Sequence, residues 1–221
     1  MRKTKVKICG ITNLADAEAS IEYGADALGF VFVKSSPRYI DVEKAQKIIA
    51  TLPPCITTVG VFTEGTEEYI KAVIEQSGIN LIQFHGHFPR TIIEAFSTRA
   101  IQVVSIRDNQ RSEDIRLPVR AYLLDNANEN GGGGTGIPFH WDCALPFQKW
   151  GRIILAGGLT IEIVRNAIEK VHPYAVDVCS GVERDRGKKD HAKLKQFIEI
   201  AKATAPTGVP SRTASLWRNW T

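Results

Sequence analysis

Short apolar segments alternate with amphipathic stretches along most of the chain. Residues 26–33 form a nearly continuous apolar run, which is typical of a strand buried on both faces. Asn13 and Asp41 each precede an amphipathic stretch and can cap a helix there. The pattern predicts strands at residues 5–9, 26–33, 56–62, 80–84, 100–106, 121–124, 152–156 and 175–179. It predicts helices at residues 14–23, 41–51, 66–76, 89–96, 141–150, 160–171 and 190–204.

Strands that alternate with helices predict a parallel sheet, and eight such units close the sheet into a barrel. We therefore predict an α/β fold, a single-domain (β/α)8 TIM barrel over residues 1–205. A doubly wound open sheet is the alternative that the same alternation allows. Residues 109–118 are short and irregular, and the helix at 141–150 is expected to kink or stop early at Pro146.

Residues 206–221 lie outside this scheme. They contain two prolines, together with Trp217 and Trp220 close to the end. We expect a C-terminal tail that is either flexible or docked through its tryptophans.

The composition is that of an ordinary globular protein, with 43% hydrophobic and 24% charged residues in a chain of 221. The net charge of +4 is spread along the chain without a basic stripe, so a nucleic acid partner is not expected. A modest positive field favours an anionic small-molecule substrate. No apolar run approaches the roughly 18 residues of a membrane span. We expect a cytoplasmic monomer or homodimer with no membrane partner.

The four cysteines are far apart and form no Cys-x-x-Cys pair, so the spacing does not predict a zinc site. It fits free thiols in a reducing compartment. Cys9 ends the first predicted strand, where its thiolate can take a proton from a substrate. A small buried hydrophobe is the alternative interpretation of this cysteine. Asp125 ends the sixth strand, where burial can raise its pKa as a general acid requires. A turn-forming or capping role is the alternative for Asp125.

Three further polar side chains are substrate-binding candidates. Arg38 follows the second strand and can clamp a carboxylate through two hydrogen bonds, unless it is a solvated surface arginine. His85 follows the fourth strand, at its mouth. The alternative interpretation is a neutral histidine that is hydrogen-bonded to the backbone. Side chains alternate along a strand, so Lys7 points into the barrel if Cys9 does. Asp177 is predicted to pair with this buried lysine. The positive charge of Lys7 would favour the Cys9 thiolate. If Lys7 instead bends outward at the barrel floor, its role is only structural.

Three glycine-rich turns follow the last three strands. Residues 131–136 lack the Gly-Lys-Ser/Thr ending of a nucleotide P-loop and are typical of a mobile lid. The turns after strands seven and eight are the usual phosphate site of such barrels, where backbone N–H groups and a short helix N-terminus face the anion. These two turns supply the phosphate-binding candidates Gly157, Gly158, Ser180 and Gly181.

Taken together, these motifs resemble the phosphoribosylanthranilate isomerase family in family order from residue 4 to about residue 204. The matching segments are residues 7–12, 24–26, 29–32, 36–40, 59–62, 83–86, 123–125, 133–136, 157–159, 177–183 and 187–190. The chain departs from the family pattern at His140, Cys179 and Arg186, where the family usually has Asp, Ser and Pro.

The resemblance implies a (β/α)8 barrel and an Amadori rearrangement in tryptophan biosynthesis. N-(5-phosphoribosyl)anthranilate would become 1-(2-carboxyphenylamino)-1-deoxyribulose 5-phosphate, with no metal and no organic cofactor. The family's general base falls on Cys9, its general acid on Asp125, and its carboxylate-binding arginine on Arg38. Two other functions stay open from the residues alone: another phosphosugar isomerase or epimerase on the same barrel, and a non-catalytic phosphate-binding scaffold.

Overall fold

The computed structural model describes residues 3–106, 116–126 and 141–204. Eight parallel strands close into a barrel in the order β1 to β8, with β8 hydrogen-bonded to β1. The barrel strands are β1 (Lys5–Ile8), β2 (Ala27–Val31), β3 (Thr57–Phe62), β4 (Leu81–Phe84), β5 (Ala100–Ile106), β6 (Ala121–Asn126), β7 (Ile153–Leu155) and β8 (Ala175–Val178). The predicted TIM barrel is confirmed, and the doubly wound alternative is wrong.

Helices cover the outside of the barrel, and most of them begin at a capping side chain. The α-helices are α1 (Leu14–Glu22), α2 (Val42–Ile49), α3 (Glu67–Ser77), α4 (Arg90–Ala95), α5 (Val164–Val171) and α6 (His191–Ala203). Asn13, Asp41, Thr66 and Asp190 each accept a hydrogen bond from a backbone N–H of the first turn. Such caps satisfy amide groups that the helix itself leaves unpaired.

Three elements differ from the prediction. Trp141–Trp150 is a 3₁₀ helix that continues through Pro146, where an α-helix would lose a backbone donor and meet the proline ring. α5 begins only at Val164, after a turn that starts near Thr160. After β8, a 3₁₀ turn at Ser180–Val182 leads into an unpredicted antiparallel pair, β9 (Glu183–Asp185) and β10 (Lys188–Lys189).

Side chains alternate along each strand between two cores. In β6, Tyr122 and Leu124 pack outward against the helices, whereas Ala121 and Leu123 belong to the core inside the barrel. Asp125 follows with the inward parity of Leu123. Near the C-terminal ends of the first strands, a further inward cluster contains Cys9, Val31 and Val61. The candidate residues Cys9 and Asp125 therefore continue the inward-facing positions of their strands.

The last helix closes the structure over the first strand. Phe197 is fully buried in α6, within the core between the barrel and its helices. Lys202 of α6 pairs with Asp26, which also binds Lys5 of β1 at 2.7 Å and accepts a hydrogen bond from the Val6 N–H at 2.8 Å. The seam at β1 is therefore held by apolar packing and by one shared carboxylate.

Several predictions lie outside the described residues: the tail at 206–221, the glycine segment at 131–136, the departure at His140 and most of the irregular segment at 109–118. Across the described ranges, no helix has both the length and the apolar content needed to cross a membrane.

Phe197→Ala should lower the free energy of unfolding by about 3–5 kcal/mol, because it removes a buried aromatic ring and leaves a cavity under α6. Urea denaturation followed by circular dichroism measures the change. The matched control is Glu199→Ala, an exposed position in the same helix, which should change stability by less than about 0.5 kcal/mol. Equal effects of the two substitutions would contradict the packing role given to α6.

Candidate active site

A cavity of about 230 Å³ opens at the C-terminal end of the barrel strands. Its wall contains eight of the nine predicted site residues: Cys9, Arg38, His85, Asp125, Gly157, Gly158, Asp177 and Ser180. The ninth, Gly181, lies beside the cavity in the turn after β8. This end of the strands is where (β/α)8 barrels carry their active sites.

The backbone around Cys9 is shaped by two glycines. Cys9 is 7% exposed, and its N–H donates to the Val178 carbonyl at 2.9 Å. Gly10 follows with a φ of +75°, and a Cβ there would lie 2.8 Å from Arg38 Cδ and 2.9 Å from Cys179 Sγ. A Cβ on Gly29 would lie 2.8 Å from Cys9 Sγ. Only glycine at both positions leaves room for the thiol and its neighbours.

The Cys9 thiol is held in an environment that favours its ionised form. The side-chain hydrogen bond from Cys179 is the largest influence, and together with the charges of Lys7 and Lys189 it outweighs burial and the charge of Asp177. The net result lowers the pKa of Cys9 to about 7. A large fraction of this thiol is therefore thiolate near neutral pH, as a general base requires.

Lys7 and Asp177 form the buried ion pair that strand alternation predicts. Lys7 Nζ lies 2.8 Å from Asp177 Oδ1, and the two side chains are only 3% and 9% exposed. Burial by itself would lower the pKa of Lys7, but Asp177 and Cys9 raise it above its ordinary value. The lysine is therefore a fixed positive charge beneath the thiol, and the alternative of an outward-bent Lys7 is wrong.

Asp125 has the opposite electrostatic environment. Burial is the main reason that its pKa is raised, and the charge of Asp177 adds to this effect. His85 Nε2 lies 3.7 Å from Asp125 Oδ2, and the Asn126 N–H donates to Asp125 Oδ1 at 2.8 Å. Both interactions act to lower the pKa of Asp125, but burial has the larger effect. Gly157 lies close by, where a Cβ would be 3.2 Å from Oδ1. The cavity thus contains a carboxyl group whose protonated form is favoured by burial.

Arg38 is fixed by a carboxylate that the sequence analysis did not identify as a site residue. Its Nε and Nη2 donate to the two oxygens of Glu183, each at 2.8 Å. Lys189, whose side chain is fully buried, donates to Glu183 Oε1 at 3.2 Å and to the Cys179 carbonyl at 3.2 Å. Among the described residues, the hydrogen bonds of the Arg38 guanidinium come from Nε and Nη2, so Nη1 is the atom on its outer edge.

The two predicted phosphate turns lie side by side. Gly157 and Gly158 have φ values of +80° and +75°. A Cβ on Gly181 would come within 2.1 Å of the Leu159 carbonyl oxygen, so only glycine allows the second turn to pack against the first. Ser180 follows β8 in the short 3₁₀ turn and lines the cavity. Backbone amides of both turns can therefore serve one bound anion.

Four contributors were missed as site residues: Gly29, Cys179, Glu183 and Lys189. Cys179 could have been found from the strand register, since it follows β8 as Cys9 follows β1. Glu183 and Lys189 lie in the unpredicted β9–β10 hairpin, and their meeting depends on the fold of that hairpin. In the part of the chain that the structure describes, no group of three or more His, Cys, Asp or Glu side chains could hold a metal ion.

The sequence of the chain matches one protein family over most of its length. The model of the family described as "N-(5'phosphoribosyl)anthranilate (PRA) isomerase" matches residues 6–200. The N-(5'-phosphoribosyl)anthranilate isomerase of Geobacter metallireducens is 46% identical over 200 residues, which cover 90% of this chain and 99% of the relative.

Two solved structures share both the fold and much of the sequence. The crystal structure of phosphoribosyl anthranilate isomerase from Thermotoga maritima is 44% identical with a TM-score of 0.82, covering 90% of this chain and 98% of that chain. A crystal structure of phosphoribosyl anthranilate isomerase in complex with reduced 1-(o-carboxyphenylamino)-1-deoxyribulose 5-phosphate is 41% identical with a TM-score of 0.80, with the same two coverages. The chain therefore belongs to the phosphoribosylanthranilate isomerase family.

Proposed function

We propose that Cys9 and Asp125 are the base and the acid with which this chain carries out the reaction of its family, the isomerisation of N-(5'-phosphoribosyl)anthranilate in tryptophan biosynthesis. One observation carries the assignment: a single cavity holds a thiol whose pKa is lowered and a carboxyl whose pKa is raised. Both shifts move the pKa toward the neutral pH range, where a general base and a general acid are most effective. Family membership favours this function over the other phosphosugar enzymes and the non-catalytic scaffold.

The reaction begins when protonated Asp125 donates to the ring oxygen of the ribose. The bond between C1 and that oxygen breaks, and the anilino nitrogen supplies the electron pair that forms an iminium at C1. Cys9 thiolate then removes the proton from C2, and the electrons of that bond move toward the iminium to give an enolamine. Protonation at C1 and loss of the C2 hydroxyl proton give the aminoketose. The iminium of the substrate is the electron sink for this sequence.

Two anchors position the substrate at either side of the acid and the base. The turns of Gly157–Gly158 and Ser180–Gly181 bind the phosphate through backbone amides. Arg38 binds the anthranilate carboxylate through its outer edge, while Glu183 holds its inner edge. The complex of the solved relative with a reduced carboxyphenylamino-deoxyribulose phosphate supports a ligand that carries both anionic groups. Fixing both ends of the substrate places C2 near the thiolate, and such positioning supplies much of the rate enhancement.

Cys9→Ala, Cys9→Ser and Asp125→Asn should each lower kcat by ~10²-fold or more with little change in KM, because they remove proton transfer and leave both anchors in place. Steady-state turnover of N-(5'-phosphoribosyl)anthranilate by the purified protein measures this. Cys55→Ser is the matched control, since Cys55 is exposed and outside the cavity, and its kcat should not change. A Cys9 or Asp125 variant that keeps more than about a tenth of kcat would remove that residue from its role.

Lys7→Met should raise the pKa of Cys9, because the cation is lost and Asp177 remains unpaired beneath the thiol. The rate of Cys9 alkylation by iodoacetamide, followed site by site with mass spectrometry, should show a midpoint at about pH 7 in the wild type. In the variant, the midpoint and the ascending limb of kcat/KM should both move to higher pH, since the base works only when it is deprotonated. Lys5→Met is the control, because Lys5 lies on the same strand but pairs with Asp26. An unchanged Cys9 titration would leave Lys7 with a structural role only.

Arg38→Ala should raise KM by about 10- to 100-fold, with a smaller change in kcat. This is the loss of affinity expected when hydrogen bonds to a charged group are removed. Arg38→Lys should restore binding only in part, because an ammonium cannot offer two parallel donors. Arg90→Ala is the control, since Arg90 pairs with Glu94 on the exposed face of α4. If KM for N-(5'-phosphoribosyl)anthranilate stays at the wild-type value in Arg38→Ala, another group binds the carboxylate.

A further inference from the structure

Two cysteines lie next to each other where the barrel closes. β1 and β8 are in register, with Lys7 opposite Asp177 and Ile8 opposite Val178, so Cys9 and Cys179 follow as neighbours. Adjacent strands lie about 4.8 Å apart, which falls within the roughly 4.4–6.8 Å between Cα atoms that a disulfide spans. The backbone therefore already holds the two residues at a separation suitable for a disulfide.

The side chains of these cysteines also point the same way. Both residues line the cavity, and the side chain of Cys179 is the largest influence on the pKa of Cys9. The Cys179 thiol also lies within hydrogen-bond distance of Glu183 Oε1, at 3.8 Å. Gly10 gives the pair its room, because a Cβ there would lie 2.9 Å from Cys179 Sγ. The two thiols thus lie on neighbouring strands and face the same cavity, which small molecules can enter from solvent.

We propose that Cys9 and Cys179 form a reversible disulfide when a peroxide enters the cavity, and that this bond switches the enzyme off. The bond itself is independent of the catalytic assignment. Its effect on turnover rests on the proposed function, because the thiol consumed is the proposed general base.

The oxidation proceeds in two steps. Cys9 thiolate attacks one oxygen of the peroxide, an S–O bond forms, the O–O bond breaks, and the leaving oxygen departs as hydroxide or alkoxide. Cys179 then attacks the sulfur of the resulting sulfenic acid. The S–S bond forms as the S–O bond breaks, and the hydroxyl leaves as water with the proton of Cys179. Both sulfur atoms are oxidised, and the peroxide is reduced.

The surroundings give the two thiols different parts in this sequence. Cys9, with its pKa lowered to about 7, supplies the thiolate that attacks the peroxide. The pKa of Cys179 is raised, first by its hydrogen bond to Cys9 and then by burial. Once Cys9 is a neutral sulfenic acid, its negative charge no longer opposes ionisation of Cys179. The Lys189 ammonium, 3.8 Å from Cys179 Sγ, and Arg38 remain to stabilise the second thiolate. Glu183 Oε1 lies 3.8 Å from the same sulfur, but its charge is paired with these two cations.

The test is to treat the full chain with hydrogen peroxide under native conditions and to follow turnover, intact mass and disulfide-linked peptides together. The expected result is the loss of two hydrogen atoms from the intact mass and a peptide that joins Cys9 to Cys179. Turnover should fall in proportion to that peptide, and dithiothreitol should restore both. Cys55→Ser and Cys143→Ser, which change thiols outside the cavity, should leave this behaviour as it is in the wild type.

Cys179→Ser removes the resolving thiol and retains a hydroxyl in its place. In this variant peroxide should carry Cys9 on to the sulfinic acid, so that dithiothreitol no longer restores turnover. The contrast between reversible loss in the wild type and irreversible loss in the variant is the signature of the switch.

Two results would overturn the inference: a wild-type Cys9 that goes directly to sulfinic acid beside a reduced Cys179, or an active enzyme in which neither thiol reacts. Both leave the catalytic assignment intact. A disulfide that forms while turnover persists would instead refute the role of Cys9 as base, and with it the switch.

Discussion

The register in which β8 meets β1 is the constraint on which the whole site depends. It sets Lys7 opposite Asp177, and two residues further along the same two strands it leaves Cys9 beside Cys179. A shift of one residue would turn Lys7 toward the helices and leave a buried carboxylate without its cation. Breaking a buried ion pair in this way is strongly unfavourable, even though forming one gains little over apolar packing. The Lys7–Asp177 pair therefore favours the observed register between β1 and β8 over registers shifted by one residue.

The charges around the thiols balance only when Cys9 is ionised. Lys7, Arg38 and Lys189 bring three positive charges to this side of the cavity, and Asp177 and Glu183 bring two negative ones. The thiolate supplies the third negative charge in a region of low dielectric constant, where an uncompensated charge is costly. Asp125 lies outside these pairs, and its burial favours the neutral acid. One cavity thus holds a thiol whose ionised form is favoured by neighbouring charges and a carboxyl whose neutral form is favoured by burial.

Much of the architecture could be predicted because a strand buried on both faces has a distinctive composition. The run at 26–33 and the alternation of strands with helices led to the barrel, and the period of two along β1 led to the Lys7–Asp177 pair. Element ends were less predictable. Trp141–Trp150 shows why: its apolar spacing suits a helix, and the effect of Pro146 on the helix type depends on the packing of neighbouring side chains.

The sequence by itself determined the parity of the inward side chains, the glycines of the two turns after β7 and β8, and the chemistry available at each strand end. These are local properties, fixed by residue type and by the geometry of one strand or turn. The tertiary structure decided which groups meet. Only the folded β9–β10 hairpin brings Glu183 and Lys189 under Arg38, and only barrel closure brings Cys179 to Cys9. Contacts between residues about 170 positions apart depend on the closure of the whole barrel, because no local preference connects them.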